Sequence, residues 1–388
     1  MNCTMKRTLL ASLRRSPTPC FLSKRYVSAF GYTQAKALVY SKYGRPQDVL
    51  RYPAATTRPP AYNDEITVKF LASPINPADI NQIEGVYPSK PPLTTALGTP
   101  EPSAVGGNEG VVEVVAVGAK VDDFKPGDRA IMRSVGFGTW RTHASAKSSN
   151  LLKIPDDKAI TSIQAATVSV NPCTAYRMLK DFTPLEKGDW FIQNGANSGV
   201  GRSAIQFGRL WGLKSVNVIR DRDNADELKK ELEELGADVV VTESELADRN
   251  KMQEVKALAG KKGIKLGLNC VGGKATTDLL RQLGHGGHLV TYGGMSRQPI
   301  TVPTSLFIFK DLHLHGFWVS AWSDKHPEEK QAMVEEIFGY ITSGEFKDTP
   351  VQETIWTPTT KVEVLKEAVA RSGQAFGGKK QVFVFKEE

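Results

Sequence analysis

The sequence predicts an α/β protein: a Rossmann-type, doubly wound parallel sheet joined to a mainly β, partly open barrel. Three observations carry that expectation. Short strands of alternating hydrophobicity, set between turn residues, fill the chain from Gln34 to about Ile154. Past Ile160 the rhythm changes to strand followed by helix, the pattern of a parallel sheet covered on both faces. The stretch Trp190 to Gly201 then runs a hydrophobic strand into a glycine-rich turn and an apolar helix, a unit suited to holding a pyrophosphate. A chain of 388 residues also exceeds what one core usually organises. The expected division is 31–168 for the barrel, completed by 345–388, and 169–344 for the nucleotide-binding unit.

Residues 1–30 stand apart. They contain Lys6, Arg7, Arg14, Arg15, Lys24 and Arg25, and no Asp or Glu occurs before Asp48. Leu9, Leu10 and Leu13 can share one helical face. A basic, hydroxyl-bearing, acid-free segment of this kind reads as a mitochondrial transit peptide, cleaved near Tyr26 to Phe30, and places the mature protein in the matrix. The formal net charge is +8, and six of those charges belong to this segment. The remaining body is nearly balanced, which gives nucleic-acid binding little support. No run approaches the roughly 20 apolar residues of a membrane span. Of four cysteines, Cys3 and Cys20 lie in the leader, which leaves Cys173 and Cys270. Two are too few for a disulfide framework or a four-cysteine zinc lobe. Cys173 beside Pro172 reads as a small packing residue.

In chain order, Glu65 to Leu71 alternates as a half-buried strand, and Gly110 to Gly118 is a second, bounded by glycines. Asp128 to Met132 follows the turn Lys125-Pro-Gly127, and Asn150 to Ile154 follows later. The spacing indicates a compact barrel. Strands of the second unit are expected near 189–193, 215–219, 238–242, 264–270 and 287–292. Between them lie helical patterns such as Asp226 to Leu235, with Leu228, Leu232 and Leu235 on one side. Another helix starts at Pro327 and a further one covers Thr359 to Ala370. The last strand, Gln381 to Phe385, has no evident βα partner and is expected to return to the first unit. His313 and His315 alternate with Leu312 and Leu314 as a strand with one face wet or paired between subunits. His285 and His288, flanked by glycines, read as loop residues.

Gly195, Gly199 and Gly201 do not have the familiar G-x-G-x-x-G spacing, and glycines alone are a weak signal. Context strengthens them: a strand before, a helix after, and a charged position about 25 residues on. Ser198, Gly199, Val200 and Gly201 are the expected pyrophosphate contacts. Where many such folds place an acid for a free ribose hydroxyl, this chain has Arg220-Asp221-Arg222. Two guanidinium groups suit a phosphate on that ribose and predict NADPH. Asp221 between them belongs to a competing NADH reading.

Asn76-Pro-Ala-Asp-Ile-Asn81, Gly106-Gly-Asn-Glu-Gly110, the turn at 195–201 and Tyr292-Gly-Gly-Met295 together resemble the medium-chain dehydrogenase/reductase superfamily. The resemblance implies a GroES-like barrel. Alcohol dehydrogenases of that group bind a catalytic zinc through Cys and a Gly-His-Glu element. Here Asn108 stands at the histidine position before Glu109, and no Cys lies between Gln34 and Pro172. A zinc site of that type lacks its soft ligands, so no metal is expected. Within the zinc-free branch, Asn76 to Pro88, Ser169-Val-Asn-Pro172, the paired arginines, Phe317-Trp-Val319 and Lys380-Gln381 resemble the mitochondrial trans-2-enoyl-thioester reductases.

That resemblance implies the chemistry and its residues. Hydride from NADPH goes to the β carbon of an enoyl group carried by acyl carrier protein or coenzyme A. A proton goes to the α carbon from Tyr87, completing the last reductive step of a fatty-acid elongation cycle. Asn171 is implied to hold the nicotinamide ribose or amide. Tyr292, Gly293, Gly294 and Met295, with Phe317, Trp318 and Val319, are implied to line the nicotinamide pocket. Trp318 would pack beside the ring or cap the acyl channel. Lys380 would reach the 2′-phosphate or a substrate phosphate. Relatives pair sheet edges, so a homodimer through Ser305 to Leu314 is expected, and basic residues at the cleft mouth would steer an acidic carrier protein. Two alternatives stand beside this reading: a zinc-free quinone or enone reductase, and a non-enzymatic NADPH-binding protein.

Overall fold

Two sheets dominate the computed structural model, which describes residues 33–57, 64–155, 157, 159–374 and 379–387. The expected leader and its cleavage point lie outside the described residues. The first sheet is built on the ten-residue strand Glu65–Pro74, which pairs antiparallel with Val111–Val117 on one side. From Val111–Val117 the order continues through Arg129–Met132 to Leu151–Lys153, and His143–Lys147 also pairs with Glu65–Pro74. Glu65, Lys69 and Leu71 are half-buried, but Ile66 to Val68 and Ala72 to Pro74 are buried without alternation, because other strands and helices cover both faces there. Ile66, Val68 and Phe70 face a core with Val112, Val114 and Met132.

The second sheet has six parallel strands in the order Val239–Thr242, Lys214–Ile219, Trp190–Asn194, Ile264–Asn269, Leu283–Thr291 and His313–Gly316. The first three run outward one way from Trp190–Asn194 and the last three the other way. The order therefore reverses between Trp190–Asn194 and Ile264–Asn269, and this switch point opens the crevice in which such folds bind nucleotides. Its floor is polar and buried. Asn194 Nδ2 donates to Asn269 Oδ1 at 2.8 Å, and Asn194 Oδ1 accepts from the Cys270 backbone at 2.8 Å.

Three expectations need correction. Gln381 to Phe385 does have a βα partner. The strand Val351–Trp356, the helix Val362–Gln374 and the strand Lys380–Phe385 form a parallel crossover. Its second strand does return to the first sheet, pairing antiparallel with Glu65–Pro74. Val351–Trp356 is mostly exposed at an edge, so its sequence carries little apolar alternation. His285 and His288 lie within the strand Leu283–Thr291 rather than a loop; its glycines sit where the register to the neighbouring strand slips, between the pairs Ile264–Leu283 and Leu266–His288. Ser305 to Leu314 is mainly the helix Thr304–Lys310, and only from His313 is it the edge strand. Cys173 and Cys270 are both buried, and burial pushes the Cys173 thiol up to about 12. Among the described residues no helix is long and apolar enough to cross a membrane.

Candidate active site

At the end of Trp190–Asn194 the chain turns through Gly195, whose φ of +61° is a left-handed conformation that favours glycine. The helix Gly199–Trp211 follows, and Ser198 caps it by accepting from the Gly201 amide at 3.1 Å. Gly199 and Gly201 are required by space. A Cβ on Gly199 would stand 2.3 Å from Asn171 Nδ2, and one on Gly201 would stand 2.5 Å from the Ala196 carbonyl oxygen. The glycines thus let this turn close tightly on itself and bring Asn171 to its side. Asn171 opens the helix Asn171–Asp181.

Across the switch point, Tyr292 to Met295 follow the strand Leu283–Thr291, and the Met295 amide donates to the Cys270 carbonyl. The Tyr292 hydroxyl is buried beside the Cys270 thiol and the Ser198 hydroxyl. Beyond Gly294 there is open space. Past the strand Lys214–Ile219 sits Arg222, whose Nε is buried without a hydrogen-bond partner among the described residues. Buried polar atoms are normally satisfied. An unpartnered guanidinium nitrogen beyond the second strand fits a dinucleotide phosphorylated on its ribose. Asp221, in contrast, has both carboxylate oxygens already hydrogen-bonded. It accepts from the Ser244 amide at 3.1 Å and from the Ser244 hydroxyl. The acid that favoured the NADH alternative is engaged elsewhere.

Tyr87 reaches the crevice from the first unit. The helix Pro77–Glu84 ends at Gly85 in a left-handed conformation, and the Val86 and Tyr87 amides both donate to the Asn81 carbonyl. This wraps the loop back over its helix and presents the phenol. Its ring meets Trp318 edge-on, with centroids 5.7 Å apart at 88°, and its hydroxyl neighbours Ser320. Burial, with Asp79 acting in the same direction, raises the Tyr87 pKa above the ordinary phenol value. Phe317 donates its amide to the Thr291 carbonyl, which anchors the segment carrying Trp318 and Val319. The structure therefore brings Tyr87 to Trp318 and Ser320, and separately brings Asn171 and Tyr292 to the turn at Ser198 and Gly199.

The sequence did not disclose a buried polar cluster between them. Asn108, at the position where a zinc ligand stands in other dehydrogenases, donates to Asp79 Oδ1 at 2.7 Å and to Gln82 Oε1 at 2.6 Å. It also accepts from the Gly136 amide at 2.7 Å. Glu109 accepts from Asn76 Nδ2 at 2.9 Å and from the Val170 amide at 2.9 Å, one residue before Asn171. Burial raises the Glu109 pKa and pushes Asp79 up to about 6, while the Lys380 charge opposes both.

Lys380 departs from its expected role at a phosphate. Its ammonium is hydrogen-bonded to Asn76 Oδ1 at 2.5 Å and faces Glu109 and Asp79. The reason is topological: Lys380 begins the strand returning to the first sheet, so its side chain enters the molecule beside Asn171. Replacing Glu109 by Ala removes the acceptor of Val170 and Asn76 and leaves Lys380 less compensated. We expect a stability loss of about 3–5 kcal/mol, read by thermal or urea unfolding, with Glu109→Gln losing less.

With this geometry in view, the chain was compared with known proteins. Residues 62–156 match the alcohol dehydrogenase GroES-like domain, and residues 199–338 match the zinc-binding dehydrogenase model. The mitochondrial enoyl-[acyl-carrier-protein] reductase of Yarrowia lipolytica is 49% identical over 350 residues, 89% of this chain and 91% of that protein. The Schizosaccharomyces pombe enzyme of the same name is 48% identical, over 86% and 87%. Among solved structures, an Etr1p/NADP/crotonyl-CoA complex superposes with a TM-score of 0.86 at 41% identity, covering 90% of this chain and 99% of that one. The mitochondrial 2-enoyl thioester reductase Etr1p/Etr2p heterodimer from Candida tropicalis gives 0.85 at 41% identity, with the same coverage.

Proposed function

Since this chain belongs to the mitochondrial enoyl-[acyl-carrier-protein] reductases, within the zinc-binding dehydrogenase family, we propose a division of labour among its residues for that reaction. The protein is an NADPH-dependent enoyl thioester reductase of mitochondrial fatty-acid synthesis. NADPH, when bound, supplies the hydride to the β carbon of the conjugated thioester. The electron pair of the double bond moves onto the carbonyl oxygen as an enolate. Tyr87 then gives its hydroxyl proton to the α carbon as the enolate collapses, and the tyrosinate regains a proton from water.

The observation that supports this reading is the meeting of Tyr87 with Trp318 and Ser320. A phenol held protonated by burial is a donor at every physiological pH. Asn171, seated against Gly199, would hold the nicotinamide end, and Ser198, Gly199, Val200 and Gly201 the pyrophosphate. Tyr292, Gly293, Gly294 and Met295 would wall the nicotinamide together with Phe317 and Val319. Arg220 and Arg222 would hold the 2′-phosphate. Lys380 would act at the nicotinamide side through Asn76 and Asn171 rather than at that phosphate. Asn108 and Glu109 fill with hydrogen bonds the space that a zinc site uses elsewhere. The domain division given above at 168 and 344 is kept as part of this proposal.

A second copy would pair along the edge strand His313–Gly316, beside which Phe307, Ile308 and Phe309 are exposed. The solution mass by light scattering checks this. Loss of NADPH absorbance with a trans-2-enoyl-CoA, beside a parallel assay with a quinone, tests the activity. We expect the thioester to be turned over faster. A faster quinone reaction would remove the thioester assignment.

A further inference from the structure

The register of the parallel sheet brings together two side chains that lie 23 residues apart. Ile219 pairs with Thr242 at the ends of neighbouring strands, so Asp221 and Ser244, each two residues further on, face one another. Both donors of Ser244 point at the Asp221 carboxylate, the amide to Oδ2 at 3.1 Å and the hydroxyl to Oδ1. The Thr242 hydroxyl lies 2.9 Å from Ser244 Oγ and extends the chain of hydroxyls. These hydrogen bonds hold Asp221 below the usual carboxylate range, so it is ionised at any working pH. The neighbouring acid, Glu243, feels Arg220 as its strongest opposing charge and the Asp221 carboxylate as a like charge.

We propose that Ser244 is a positioning residue that sets the choice of cofactor: it latches the Asp221 carboxylate away from the space where Arg220 and Arg222 receive a 2′-phosphate. Asp221 lies between those arginines in sequence and has two alternative uses. Turned toward the ribose, an acid accepts a hydrogen bond from a free 2′-hydroxyl, the arrangement that favours NADH. There it also repels a phosphate dianion and competes with it for the guanidinium groups. Tied to Ser244, it does neither. The preference for NADPH then depends on a serine that touches no cofactor as well as on the arginines that do. This inference rests on the proposed role of Arg220 and Arg222.

The test is steady-state kinetics with NADPH and NADH on the full enzyme carrying Ser244→Ala, Ser244→Thr, Asp221→Asn, and Ser244→Ala with Asp221→Asn. Ser244→Ala should raise the KM for NADPH by about tenfold, the size of one misplaced like charge, and should leave that for NADH unchanged or lower. Ser244→Thr keeps a hydroxyl and should stay close to the parent. In the Asp221→Asn background, Ser244→Ala should add no further change, because the charge it would release is gone. Equal shifts for both cofactors, no shift, or a Ser244→Ala effect that persists without the Asp221 charge would each overturn the latch. Thermal unfolding of each variant shows that the fold is intact. If the arginine reading itself fails, Arg222→Ala will weaken both cofactors equally. If only the latch fails, Arg222→Ala stays selective for NADPH.

Discussion

Substituting Phe for Tyr87 should lower kcat by about 10²–10⁴ while leaving the affinity for NADPH nearly unchanged. The change deletes one oxygen from a loop whose backbone is held by hydrogen bonds from Val86 and Tyr87 to the Asn81 carbonyl, and whose ring still meets Trp318. Packing is therefore retained and only the hydroxyl, the proposed proton donor, is lost. Hydride delivery would remain possible, with slow protonation of the enolate by water. The pH dependence gives an independent check. The reaction needs the protonated phenol, so activity falls as pH rises through the Tyr87 pKa. Burial moves that pKa above the ordinary phenol value near 10, so the alkaline limb should begin later than for an exposed tyrosine. Tyr87→Phe should lose the limb altogether. An unchanged rate in this variant would remove Tyr87 from the mechanism, whatever its position.

Ala substitution of Arg220 and of Arg222 should weaken NADPH by about one to two decades each, the worth of a charge-assisted hydrogen bond of roughly 1.5–3 kcal/mol. NADH should be little affected. Arg222 should show the larger effect, because its Nε is already buried with no hydrogen-bond partner among the described residues. A donor in that condition gains a full hydrogen bond when an anion arrives, whereas the exposed Arg220 gives up part of an interaction it already has within the protein. Added salt should erode the contribution of Arg220 more than that of Arg222. Equal losses with NADPH and NADH would mean that neither arginine senses the extra phosphate.

Most of the architecture was legible in the chain because the signals that specify strands and helices are local. The alternation of residue types from Glu65 to Phe70, the glycines bounding Val111–Val117 and the leucine spacing in Ala225–Leu235 each act within a few residues. The strand Val351–Trp356 escaped notice because, exposed at an edge, it has little apolar face to display. Lys380 was traced to the wrong partner for another reason. A lysine near the end of the chain says nothing of which cleft it enters, and the residue it meets, Asn76, is 304 positions away.

What the sequence alone determined was the order of two sheets, the glycine turn, the paired arginines, the phenol and the loss of soft metal ligands. Each is a property of residue type at short spacing. Tertiary structure alone decided that Asp79, Asn108, Glu109 and Lys380 close into one buried cluster, and that Asp221 turns to Ser244. Contacts of that kind depend on strand register and on burial, which change the energy of a charge by its surroundings and not by its neighbours in the chain.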